Sequence, residues 1–148
     1  MDIDLVLAPV DGSTQSEQAA EYALTIADAY DADLHLLFVL DETLVRAIDA
    51  GEVDADAIAD EHHDFAARVQ TRLDERGHDA DLHHSTAAGF SPSSLRQSPG
   101  SVILDVAEDI DADFLVVPRE PAGEESEEAI GRAALYVIEY ASQPVLSV

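Results

Sequence analysis

Short apolar runs alternate with helix-spaced apolar segments from one end of this chain to the other, and that alternation narrows the fold more than any other feature. Ile3–Val10 (IDLVLAPV) is an apolar run closed by the turn Asp11-Gly12-Ser13. A helix is predicted from about Ser16, because Ala20, Ala23, Leu24, Ala27 and Tyr30 recur at three- and four-residue steps. Asp33–Leu40 (DLHLLFVL) reads as a second strand. Glu42 to Arg76 reads as helix with an interruption near Ala50-Gly51. Its second part, from Asp54, carries Ala57, Phe65, Val69 and Leu73 on one side and stops at Gly77. Asp79–Ala87 (DADLHHSTA) is a more polar strand suited to a sheet edge, and Gly89–Gly100 reads as a loop. A helix at Val102–Ile110, a strand at Phe114–Val117, a helix at Glu127–Ala141 and a short strand at Val145–Val148 complete the chain.

The order is therefore βαβαβαβαβ. Apolar strands separated by helices indicate a parallel sheet covered on both faces, joined by right-handed crossovers. The expected architecture is a doubly wound α/β fold. At 148 residues it forms a single domain spanning 1–148, with no internal repeat, heptad pattern or interdomain linker.

Composition enters through charge. The chain has 32 Asp and Glu against 7 cations, all arginine, for a formal charge of −25. Nucleic-acid binding neutralises phosphates with Lys and Arg, and seven scattered arginines form no basic stripe. Attraction to anionic lipid fails for the same reason. No apolar run is long enough to span a membrane and no basic segment precedes one, so a soluble, cytoplasmic protein without membrane insertion is expected. The absence of cysteine excludes disulfides and thiolate chemistry. With 47% apolar residues the chain is not composed like a disordered one. Self-repulsion at this charge is tolerable where salt shortens the Debye length to about 3 Å. A lysine-free surface with 19 Asp and 13 Glu fits a salt-adapted cytoplasm.

In an open α/β sheet, ligands bind beyond the carboxyl ends of the strands. Asp11, after the first strand, is placed to meet a metal or a ligand hydroxyl, and Ser13, Thr14 and Ser16 lie where a helix start meets an anion. The same residues equally suit a turn and a helix cap. The end of the second strand, Phe38-Val39-Leu40-Asp41, is a further candidate, or simply a buried strand end.

The segment VLAPVDGSTQSEQAAEYALTIADAYDADLHLLFVLD resembles the opening of the universal stress protein family, with a strand ending in V-D-G-S, an Ala-rich helix and an L-H-L-x-x-V strand. DVAEDIDADFLVVP and AALYVIEYASQPVLSV are similar to that family's later strand and its last helix and strand. The resemblance implies a five-stranded parallel sheet in the order 3-2-1-4-5, helices on both faces, of the adenine-nucleotide α-hydrolase type. It also implies a homodimer joined through the final strands, here Pro144, Val145, Leu146 and Val148. Pro9, Asp11 and Val39 would contact a nucleotide, the backbone near Val39 reading the adenine.

Nucleotide-binding members of the family carry a glycine loop after the fourth strand. At the matching spacing this chain has Pro118, Pro121, Gly131 and Arg132, so only the last glycine is kept. Proline has no N–H to donate and fixes φ where glycine is permissive. Glu120, Glu124, Glu125, Glu127 and Glu128 add negative charge to the same loop. Arg119 and Arg132 are the residues that would clamp phosphate if ATP and magnesium bind at all.

His62-His63 and His83-His84 are adjacent pairs whose side chains diverge, and His62 lacks a histidine four residues away, so no metal site is expected. His35 reads as a strand residue at a packed boundary. No nucleophile elbow or Walker loop occurs, and no catalytic residue is predicted. The expected function is a non-catalytic stress-response domain acting as a homodimer through protein interaction, without tight ATP binding. The alternative is an ATP-binding switch or weak ATPase.

Overall fold

The computed structural model describes residues 2–89, 98–119 and 129–148, and of Thr14 and residues 129–132 the backbone alone. The strands are β1 (Leu5–Val10), β2 (Asp33–Leu40), β3 (Leu82–Ala88), β4 (Phe114–Val117) and β5 (Val145–Ser147). The helices are α1 (Thr14–Tyr30), α2 (Glu42–Asp49), α3 (Ala55–Glu75), α4 (Pro99–Asp109) and α5 (Ala129–Tyr140). The five strands form one parallel sheet in the order β3-β2-β1-β4-β5.

Alternation along the central strand assigns its two faces. Val6, Ala8 and Val10 pack with Leu34, Leu36 and Phe38 beneath α1 and α3, joining Ala23, Leu24, Phe65, Val69 and Leu73. Leu7 packs on the opposite face with Leu37, Val39, Leu115 and Val117, beneath Ile103 and Ala107 of α4 and Val137 of α5. The sheet is thus covered on both sides, as a parallel sheet must be.

Local chemistry shifts several predicted boundaries. The helical stretch after β2 breaks where Gly51 takes a φ of 76°, a conformation other residues rarely adopt. Helix α4 starts three residues before its predicted position. Ser98 accepts from the Ser101 N–H at 3.2 Å, Ser101 returns a bond to the Ser98 N–H at 2.9 Å, and Pro99 occupies the first turn, where its missing N–H is harmless. Gly100 permits close packing there, because a Cβ would meet the Tyr136 ring at 2.6–2.7 Å. Strand β3, exposed along much of its length, lies at a sheet edge as its polarity predicts.

Two arginines of α3, and Arg76 just past its end, fasten it to α1. Arg68 faces Glu17 at 3.6 Å, Arg72 faces Glu21 at 2.9 Å, and Arg76 faces Asp28 at 3.6 Å. His78, buried after α3, shares a hydrogen bond with the Ala32 carbonyl at 2.8 Å and so joins the ends of both helices.

Candidate functional site

The carboxyl ends of β1 and β2 are brought together by register. Val10 pairs with Phe38, so Asp11 and Val39 follow side by side. Pro9 is buried within β1 and pairs with Leu37.

Asp11 organises the start of α1. Its Oδ1 accepts from the Ser13 N–H at 2.8 Å and from the Ser16 hydroxyl at 2.9 Å, while its own N–H donates to Ser16 Oγ at 3.2 Å. Ser13 Oγ in turn accepts from the Ser16 N–H at 3.2 Å, which makes Ser13 the helix cap. Gly12 takes a φ of 87°, turning the chain so that these groups converge. Asp11 therefore holds the turn that presents the Ser13 cap, and its Oδ1 is already occupied by two donors.

Val39 is buried and belongs to the packing between the sheet and α4. The chain after β3 presses against it: a Cβ on Gly89 would lie 3.0 Å from Val39 Cγ1 and 3.1 Å from Pro99 Cγ. Gly89 N–H also donates to the Leu40 carbonyl at 2.9 Å.

A cleft of about 280 Å³ opens beside Asp11 on the α3 side. Its inner wall includes Phe38, against which His62 stacks with ring centroids 4.1 Å apart and Phe65 packs edge-on at 5.7 Å. Arg68 stands 5.5 Å from the Phe65 ring centroid at the same cleft. Burial lowers the pKa of His62; Glu61 opposes that shift and His84 adds to it. Although its helix position gives it no histidine partner for a metal, His62 packs its ring on Phe38 and reaches Thr86 Oγ1 at 3.4 Å.

Pro118 and Arg119 follow β4. Pro118 is buried. The Arg119 N–H donates to the Val148 carbonyl, and its guanidinium Nη2 donates to the Ser147 carbonyl at 3.3 Å. Gly131 and Arg132 lie in the first turn of α5. Pro121 and the five loop glutamates fall outside the described residues, as does the Arg132 side chain. The structure therefore brings Asp11 and Val39 together and draws Arg119 toward the end of β5.

Strand β5 pairs with β4 through Leu115 and Val145, Val116 and Leu146, and Val117 and Ser147. Pro144 opens that ladder by accepting from the Leu115 N–H at 3.0 Å. Val145 packs toward α4 and α5, while Leu146 and Val148 pack toward α1 and α3. No described helix is long and apolar enough to cross a membrane.

Comparison with known proteins agrees with this architecture. A family model described as the universal stress protein family matches residues 3–148. Universal stress protein MJ0531 of Methanocaldococcus jannaschii is 26% identical over 146 residues, covering 97% of this chain and 80% of that protein. The solved structure of UspA from Lactobacillus plantarum superposes with a TM-score of 0.72 at 22% identity, covering 100% of this chain and 99% of that one. A universal stress protein solved in complex with cAMP gives a TM-score of 0.67 at 19% identity, covering 100% and 98%.

Proposed function

The chain belongs to the universal stress protein family, and from that premise we propose that it is a non-catalytic, homodimeric stress-response domain that acts through protein interaction without tight ATP binding. The observation that carries this reading is what Pro118 and Arg119, the residues directly after β4, do with their backbone and side-chain groups. Pro118 has no N–H to offer, and Arg119 spends its backbone N–H and one guanidinium nitrogen on the carbonyls of Val148 and Ser147. A phosphate cradle depends on backbone amides that approach it closely, and both of these positions point their chemistry elsewhere. The five glutamates that follow in sequence add repulsion to any triphosphate. In this reading the family framework is kept, the protein works in a salt-adapted cytoplasm, and β5 supplies the contact with a second copy.

Isothermal titration with Mg-ATP in molar KCl tests the reading. Absence of saturable binding is expected; micromolar binding at one nucleotide per chain would overturn it.

A second reading rests on the adjacency of Asp11 and Val39 at the carboxyl ends of β1 and β2. There the protein is an adenine-nucleotide switch or weak ATPase, with Asp11 at the ribose or a metal, Val39 at the base, and Arg132 with Gly131 at the phosphates. The relative solved with cAMP holds a ligand with a single phosphate, which asks less of the damaged loop. Nucleotide retained through purification favours this reading, and binding unchanged in Arg132→Ala removes the arginine from it.

A further inference from the structure

The pentapeptide Asp-Ala-Asp-Leu-His occurs twice, at residues 31–35 and 79–83. This short repeat escapes a search for domain-scale repetition, yet the fold places its two copies in register: Leu34 pairs with Leu82 and His35 with His83. Side chains alternate across a strand, so Asp33, His35, Asp81 and His83 share one face at the amino ends of β2 and β3. That end is opposite the Asp11 cleft.

A third connector, Asp111-Ala112-Asp113, separates the structural part of this motif from the remainder. Asp31 and Asp111 both take left-handed φ values, 53° and 55°, and Ala32 and Ala112 are buried after them. Asp113 Oδ2 accepts from the N–H groups of Asp4 and Leu5 at 2.9 and 3.1 Å, as Asp33 Oδ1 accepts from the Asp81 N–H at 3.0 Å. The acids thus turn the chain from helix to strand. In the third copy the histidine position is Leu115, so turning the chain does not require His83.

What His83 adds is a mixed ligand set. A carboxylate oxygen of Asp33, one of Asp81 and a ring nitrogen of His83 all lie within 4.8 Å of one another. Ligand atoms at about 2.0–2.2 Å from a zinc-sized ion stand roughly 3.5 Å apart in a tetrahedron, so rotations of about 1 Å complete the set. Asp33 is half-buried and steadied by the Asp81 N–H, while Asp81 and His83 are exposed and free to adjust. The set borders an open groove of about 750 Å³ whose described lining includes Asp4, His35 and Asp113 and no arginine. His35 stands beside the set, its Nε2 held at 2.8 Å from Ser85 Oγ.

We propose that Asp33, Asp81 and His83 form a binding site for a borderline divalent transition metal of the zinc type. Two carboxylates supply charge, and the imidazole selects against magnesium and calcium, which prefer oxygen ligands throughout. Three protein ligands leave coordination positions open, and the ion ties the edge strand β3 to β2.

Isothermal titration of the full chain with ZnCl2 in molar KCl, with magnesium in excess, is the test. One saturable zinc site per chain is expected, weakened by at least about tenfold in His83→Gln and in Asp81→Asn and unchanged in His63→Gln. Equal affinity in His83→Gln, displacement by magnesium, or the absence of a saturable site would overturn the proposal. The His83 ring resonances of the unmodified protein give a second readout that needs no folded variant. They shift on zinc addition if the site is real and stay in place if it is not.

Discussion

The guanidinium of Arg119 donates to the carbonyl oxygen of Ser147 at 3.3 Å, so the residue after Pro118 is fastened to the last strand of the sheet. Together with the bond from its N–H to Val148, it extends the β4–β5 pairing past the end of β4. Arg119 thus serves the strand through which a dimer is proposed.

Deleting residues 145–148 is therefore expected to yield monomers, read by size-exclusion chromatography with light scattering at high salt. A truncated protein that stays dimeric contradicts pairing through β5.

Gly100 makes room for Tyr136, and an added Cβ would fall 2.6 Å from its ring. Gly100→Ala should cost about 1–3 kcal/mol, the range for overpacking. Urea denaturation measures it, and Tyr136→Ala in the same background should recover part of the loss.

Neighbouring residues on α3 should respond differently to salt. Leu73 is fully buried, and Leu73→Ala should cost about 2–5 kcal/mol at any ionic strength. The Arg72–Glu21 pair is about half exposed on both sides. Arg72→Ala should cost less than about 1 kcal/mol, and that small loss should vanish in molar KCl. Unfolding curves at two salt concentrations separate the two residues.

Ser16 is fully buried, donating to Asp11 Oδ1 and accepting from the Asp11 N–H. Ser16→Ala should lower stability by about 1 kcal/mol, because the part-buried Asp11 N–H loses its acceptor while Asp11 Oδ1 keeps only the Ser13 N–H. A thermal melt reads the loss. If ligand binding at Asp11 survives this change undiminished, the cap and the site are separable.

Burial against Phe38 holds the His62 pKa below the ordinary imidazole value, despite Glu61 pulling it up. In the interval between the ordinary value of about 6.5 and the lower folded value, the unfolded chain takes up a proton that the native chain does not. Stability should therefore fall as pH drops from about 7 through that interval, then level off for this group below its folded pKa. Denaturation of His62→Gln beside the parent, at steps from pH 7.5 to 5, should show a shallower acid limb in the variant. Parallel limbs would remove His62 from the account.

The strands were legible wherever apolar residues ran unbroken, as in Leu5–Val10 and Phe114–Val117, because burial on both faces leaves no polar phase to misread. Helix α4 was less so: Pro99 and Gly100 look like loop residues until Ser98 and Ser101 are seen to cap each other around them. Asp11 was legible as a strand-end acid, but its bonds to Ser13 and Ser16 depend on the turn at Gly12, which composition does not specify. His62 and His83 were hidden for a different reason. Each acquires its role from residues distant in sequence, Phe38 for the first and Asp33 for the second. The repeated Asp-Ala-Asp-Leu-His was the available signal for the latter, and strand register gives it meaning.

The two margins of the sheet are chemically unequal. At one, β3 exposes His83, His84 and Thr86 and follows Asp79 and Asp81, a poor template for another strand. At the other, β5 is short, apolar and half-covered. Growth by strand addition has only one hospitable margin, and once two copies have used it on each other, neither has a second to offer. Under the proposed pairing through β5, such an assembly terminates at two and does not propagate into a fibre.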